Sequence, residues 1–279
     1  MKPKNAIKMY ETFAKTVSPI YNRELFHACN ALGLWDKALN FGIKANLTDK
    51  EIELTRAILN RKSKQTNKSF LKAFTISCDG EETLYQTHSF SMNNAFVSTQ
   101  NVRGILGSNI PSFILSRNFE NSPPGRIGAA LSHINCWEKL LKYDLPFYLI
   151  LEVDSTPIYT LNFEEVVQWI NKYDCILINQ RLCKNSAKNP NNFGKVTRFN
   201  YFDRASGFDG YIINRKILKE FYEKIQNSKW WNFHIDDLAL RIFLNENIKN
   251  GKIACLHEAV IQHSAFSQKS SRIRAELSY

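Results

Sequence analysis

No hydrophobic run in this chain reaches the ~18 residues that a bilayer-spanning helix needs, so contact with a membrane would have to be peripheral. The cysteines offer no metal site either. Cys29, Cys78, Cys136, Cys175, Cys183 and Cys255 are scattered, with no pair at metal-ligand spacing and no secretory leader ahead of them. The expectation is reduced, mostly buried thiols in a cytoplasmic protein. Basic residues gather in no long run, and no zinc-finger or helix-turn-helix pattern accompanies them, which argues against a nucleic-acid partner. Residues 31–39 look like one tetratricopeptide hairpin, but the stretch occurs once, and a solenoid needs stacked copies.

What is present describes a folded, basic protein. The 279 residues are 44% hydrophobic and 13% aromatic, enough for one large domain or one domain with a small companion, and too apolar for a disordered chain. Lys and Arg number 37 against 26 Asp and Glu, and the net charge of +11 favours nucleotide diphosphates, anionic lipid surfaces or nucleic acid. Charge alone does not choose among them.

The chain is organised around residues 126–157. Ile127, Ala130, Leu131, Ile134, Trp137, Leu140 and Leu141 recur at three- and four-residue intervals, the apolar face of a helix that Pro123, Pro124 and Gly125 bound in front. Phe147 to Leu151 then form an unbroken apolar run of strand length, ended by Glu152, Val153 and Asp154. In an extended chain side chains two apart point the same way, so Glu152 and Asp154 can converge on one cation at a strand end, where ligands bind in open α/β sheets. The other reading is that the acids mark a strand leaving the core for solvent.

Gly125, Ile127, Gly128, Ala130, Ser132, His133 and Trp137, followed by Leu151, Glu152 and Asp154, resemble glycosyltransferase family 25, the lipooligosaccharide and collagen galactosyltransferase group. Val153 stands where that family has its middle acid. The resemblance covers about residues 70–275, and its most specific part is this helix and strand.

Other segments align with it more weakly. A first strand over 70–78 ends in Ser77, Cys78 and Asp79; by the resemblance this end lies under the nucleotide, although the family's Arg after the Asp is missing and a polar turn explains the residues equally well. Residues 112–116 read as a second strand and 118–125 as a loop, 163–173 as a helix, 175–179 and 196–202 as strands with a loop over 185–194 between them, and 216–225 as a helix. Gly207 and Gly210 precede Tyr211 as in the family's glycine segment; lacking Cβ atoms they would admit a sugar or pyrophosphate to the backbone, and tight turns account for them as well. Trp230, Trp231 and Phe233 lead into Asp236 and Asp237, rings and carboxylates that suit a sugar, or an ordinary helix cap. Strands over 253–256 and 259–262 lead to His263. His133, at the edge of an apolar helix face, reads as a satisfied histidine, and the resemblance adds a donor-site role.

The first 66 residues are helical by spacing, over 7–17, 21–32, 35–45 and 49–61, with Thr48 and Glu51 placed for a capping box. They form an extension that packs on the catalytic domain or on a partner, ahead of a domain over 67–279.

The resemblance implies an α/β, GT-A-like mixed sheet flanked by helices. It further implies hexose transfer, of galactose above all, from a UDP-sugar to a hydroxyl of bacterial lipooligosaccharide or another oligosaccharide, with inversion. In that scheme Asp154, Glu152 and His263 (His257 second) hold a divalent metal, Mn2+ by preference, and Asp236 or Asp237 is the base. Ser77, Asp79, Gly128, Ser132, His133, Glu152, Gly207 and Gly210 line the donor site. Localisation would be cytoplasmic, with peripheral contact to an anionic inner membrane surface. A catalytically silent sugar-nucleotide or glycan binder, or an interaction protein working through its helical front, are the other classes left open.

Overall fold

The computed structural model describes residues 8, 12, 20–62, 72–95, 97–111, 124–179, 189–198, 208–227 and 253–263, with the backbone alone at 20, 62, 163, 198, 227 and 263. Helices α1 (Ile20–Ala31), α2 (Trp35–Lys44) and α3 (Asp49–Lys62) come first. They are followed by β1 (Ala73–Ser77), α4 (Glu82–Ala95), β2 (Thr99–Arg103), α5 (Pro124–Leu140), β3 (Phe147–Glu152) and β4 (Ser155–Pro157). The remainder is α6 (Phe163–Lys172), β5 (Cys175–Leu177), β6 (Val196–Arg198), β7 (Gly210–Asn214), α7 (Arg215–Asn227), β8 (Ile253–Leu256) and β9 (Ile261–His263).

Seven strands make one mixed sheet in the order β2-β1-β3-β7-β5-β8-β6. β1 is parallel to β2 and β3, β5 is parallel to β8, and β7 and β6 run against their neighbours. The chain is thus an α/β fold with a mixed sheet flanked by helices and a helical N-terminal extension, consistent with a GT-A-like architecture. It departs from a single sheet in one respect: β4 and β9 pair antiparallel as a separate ladder.

Tyr148, Leu149, Ile150 and Leu151 of β3 are all buried, which is why their run shows no alternation: both faces of the sheet are covered. On one face Tyr148, Ile150, Tyr211 and Ile213 meet Trp137 and Leu140 of α5 and Leu218 and Phe221 of α7. On the other, Leu149, Leu151, Ile176 and Ile212 meet Met92 of α4 and Val166 and Trp169 of α6. Trp35 and Ile58 belong to this second cluster, so the helical front packs on the α/β domain. Arg61 reinforces the junction by donating to the Thr160 carbonyl and pairing with Glu165.

Local chemistry sets the helix ends. Gly33 closes α1 at φ 68°, a left-handed turn open to glycine, and a Cβ there would stand 2.9 Å from the Ser91 carbonyl oxygen. The capping box forms as expected: Glu51 accepts from the Thr48 backbone N–H at 2.8 Å and the Thr48 hydroxyl at 2.9 Å, and these bonds lower its pKa. Asn162 caps α6 by accepting from the Glu164 N–H.

The boundary expected near residue 66, the strand over 112–116 and the helix over 7–17 fall wholly or mostly outside the described residues. Cys29, Cys78, Cys136, Cys175 and Cys255 are free thiols, and burial pushes Cys136 up to about 12 and raises Cys175 as well. No described helix is long and apolar enough to cross a membrane.

Candidate active site

Because β7 reverses direction between β3 and β5, strands β1, β2, β3, β5 and β8 all point their C-terminal ends at one edge of the sheet. That edge carries Ser77, Asp79, Arg103 and Glu152. The N-terminal turns of α5 reach it too, packed against the loop that follows β2. The Ser77 hydroxyl donates to Asn101 at 2.8 Å, tying β1 to β2, and Arg103 pairs with Asp79 in an exposed contact that hydrogen bonding and charge reinforce by raising the Arg103 pKa. An arginine absent from the residue after Asp79 is therefore supplied beside it by the neighbouring strand.

Glu152 ends β3, and a buried chain of hydrogen bonds aims it. The Trp137 indole N–H donates to the Tyr211 hydroxyl at 2.7 Å, Tyr211 stands 3.0 Å from His133 Nδ1, and His133 Nε2 stands 3.1 Å from Glu152 Oε1. The carboxylate can only accept, so Nε2 carries a proton. With the Trp137 N–H occupying its oxygen, Tyr211 satisfies every group by donating its own proton to Nδ1. Burial first of all, with the neighbouring Glu152 charge among lesser causes, holds the Tyr211 pKa well above its ordinary value, so it stays a donor. His133 is 1% exposed while the Glu152 side chain is 28% exposed, so the chain runs from the core out to a carboxylate at the edge. Its register is helical: Trp137 is one turn after His133, and both face β7 from α5.

A second histidine steadies the turn after β3. His88 of α4 lies 2.8 Å from the Ser155 carbonyl through Nδ1 and 2.9 Å from the Thr75 hydroxyl through Nε2. A carbonyl accepts only, so Nδ1 carries the proton and Nε2 accepts from Thr75. Burial lowers its pKa to about 4, so it is neutral. The Ser155 hydroxyl closes the turn by donating to the Glu152 carbonyl at 2.7 Å.

Several expected site residues have packing roles. A Cβ on Gly128 would stand 2.6 Å from the Ile105 carbonyl oxygen and the Gly107 nitrogen, so its absence lets α5 press on that loop. The Ser132 hydroxyl is buried and bonds the Gly128 carbonyl and the Ile105 N–H, both at 2.7 Å, locking the same contact. At Gly210 a Cβ would meet Ile261 Cδ1 at 2.2 Å: the close approach there is to β9 of the separate ladder. The alternation that would send Glu152 and Asp154 to one side does not apply, since β3 ends at Glu152 and Val153 and Asp154 form the turn into β4. Val153 is buried and its N–H bonds the Ile76 carbonyl at 3.0 Å.

The β4–β9 ladder sets Ser155 opposite His263, which places the backbone of His263 one residue from the register of Asp154. Among the described residues no three His, Cys, Asp or Glu side chains form a metal cluster, and the His263 side chain is outside that set. Two carboxylates at a strand end with a histidine across a ladder fit a hard, oxygen-seeking ion such as Mn2+ or Mg2+ in kind. The His133 N–H on Glu152 is the sort of bond that orients a ligating carboxylate. Asp236, Asp237 and Gly207 lie outside the described residues. His257 is described at the end of β8, its N–H bonded to the Lys195 carbonyl at 2.9 Å.

No family model and no curated protein matches the chain. By their geometry two residues join the site that the sequence reading passed over. Tyr211 is the junction of the buried hydrogen-bond chain. Asp209, buried at the start of β7, gives its carbonyl to the Glu152 N–H at 2.8 Å and so adds a second acidic residue beside Glu152. An acid flanking an apolar strand was the signal used for Glu152, and Asp209 before Gly210–Asn214 carries the same signal.

Proposed function

We propose that this chain is a glycosyltransferase that moves a hexose, galactose in the first instance, from a UDP-sugar to a hydroxyl of bacterial lipooligosaccharide, with inversion and with a divalent ion. One observation carries the reading: at the edge where five strands end, Glu152 is held by a buried Trp137–Tyr211–His133 chain, with Asp154 in the adjoining turn. Protein scaffolds fix a carboxylate this way when its direction matters. The sequence resemblance to family 25 supplies the reaction class.

In this reading Asp154, Glu152 and His263 would hold the ion, which would supply positive charge to offset the negative charge gathering on the departing diphosphate. Ser77 and Asp79 at the end of β1 face the nucleoside. Asp236 or Asp237 accepts the proton of the acceptor hydroxyl as that oxygen attacks the anomeric carbon from the side opposite the nucleotide. The positive charge of the chain draws in the anionic donor and favours an anionic glycolipid surface.

Val153 favours a second reading. It fills the family's middle-acid position with a packed apolar side chain, 6% exposed, as a silent sugar-nucleotide or glycan binder would tolerate. Turnover of a UDP-sugar panel, with Mn2+, with chelator and in Asp154→Ala, separates the two. Transfer of one sugar that needs both the ion and Asp154 is the expected result. Donor binding without turnover, even with a crude lipooligosaccharide acceptor, selects the silent binder, and the absence of donor binding refutes both.

A further inference from the structure

A cavity of about 310 Å³ opens where the helical front meets the β4–β9 ladder. Phe26, Trp35 and Leu54 from the front and Pro157 and Ile158 from the ladder segment give it apolar walls, and His27, Asn30, Thr55 and Gln262 give it polar groups. The Thr55 hydroxyl donates to Asn30 Oδ1 at 3.0 Å, which fixes the amide of Asn30. Among the described residues Glu51 is the one acidic residue in the lining, and its oxygens are taken up by Arg23 and the Thr48 cap. Among the described residues no Lys or Arg lines the cavity, although the chain carries +11.

That lining suits a ligand with one apolar face and a rim of hydroxyls, which is the surface of a pyranose. The volume is at the small end of the ~300–1,000 Å³ range of ligand pockets, right for one or two sugar units. Its position ties it to the candidate site: Gln262 pairs with Thr156, two residues beyond Asp154, or about 7 Å along an extended chain.

We infer that this cavity is a neutral saccharide site, holding a sugar unit of the acceptor beyond the one that reacts; the inference rests on the transferase reading. It gives the helical front, which the family resemblance does not cover, a function. The front supplies one wall of this acceptor subsite and thereby selects oligosaccharides over monosaccharides.

The test is ligand-observed NMR titration of the full chain with lactose, maltotriose and a deacylated lipooligosaccharide core, alongside a separate titration with UDP. Ala31→Trp puts bulk into the cavity from its α1 wall, and Gln262→Ala removes a polar group. Melting temperature reports whether each variant folds. Binding of at least one oligosaccharide is expected, weakened more than about tenfold by Ala31→Trp and about two- to tenfold by Gln262→Ala, the value of one net hydrogen bond. If no member of the panel binds, or if a folded variant of either kind binds like the wild type, the saccharide site is refuted. A wild type that binds oligosaccharide through this cavity but not UDP upholds the site and overturns the transferase reading instead.

Discussion

Replacing Tyr211 by Phe removes a single oxygen and tests the buried hydrogen-bond chain directly. That oxygen accepts the Trp137 indole N–H and contacts His133 Nδ1, in a region where Trp137 and Tyr211 are 0% and His133 1% exposed. Without it, neither nitrogen has a described partner in reach, and water cannot enter unless the α5–β7 packing opens. Each stranded buried group costs ~1–3 kcal/mol, less what is regained by no longer burying the tyrosine hydroxyl, so a loss of about 2–5 kcal/mol is expected. The comparison is Tyr85→Phe, whose hydroxyl makes one bond, to the Thr99 carbonyl at 3.2 Å, at a half-buried place. That change should cost no more than ~0.5–1.5 kcal/mol. Urea unfolding of the two variants, read at constant m-value, gives the difference. If Tyr211→Phe is as mild as Tyr85→Phe, the hydroxyl is not the junction described, and the orientation of Glu152 must come from elsewhere.

Other changes test other parts of the structure. His88 has its pKa lowered to about 4 by burial against an ordinary 6.5. The unfolded chain therefore binds the proton first, and stability should fall by about 3 kcal/mol as pH drops from 6.5 to 4, a dependence that His88→Gln should flatten in pH-resolved unfolding. Gly210→Ala should destabilise by ~1–3 kcal/mol because the new methyl meets Ile261 Cδ1, and Ile261→Val, which deletes that atom, should recover part of the loss; a double-mutant cycle showing no coupling would contradict the contact. Asp154→Ala should abolish metal-dependent turnover of the UDP-sugar while leaving the melting temperature within a few degrees, since Asp154 is in a turn at the sheet edge.

Much of the fold was legible because burial writes itself into pattern. The run from Phe147 to Leu151, the spacing of Ile127 to Leu140 and the Thr48–Glu51 cap all appear as residues of the expected kind in the expected elements. β2 was not legible: Thr99–Arg103 is an edge strand in which only Val102 is buried, so it shows neither an apolar run nor alternation. α4 was missed because His88 and Ser91 occupy buried positions on its inner face and read as polar. At the site, position was easier to read than partnership. Glu152 at a strand end and His133 on a helix follow from local spacing. The tyrosine that joins His133 to Trp137 is 78 residues from His133, and no local signal announces it. Gly128, Ser132 and Gly210 show the converse: their residue types were informative, but what comes close is another part of the chain.

The β4–β9 ladder also sets the order in which the protein can be completed. Thr156 and Gln262, which it brings together, are 106 residues apart, and β5 reaches β8 across a long gap as well, pairing Cys175 with Ile253. Such distant pairings are late, slow steps in folding. During synthesis, β1, β2 and β3 can assemble with α4 and α5 as soon as they emerge, and Glu152 can find His133. Tyr211 arrives later to complete the buried hydrogen-bond chain, and the strand that flanks the Asp154 turn arrives last of all. A nascent chain therefore carries a half-built site from Glu152 onward, with no means of closing the cavity wall or the turn until β9 (Ile261–His263) is available.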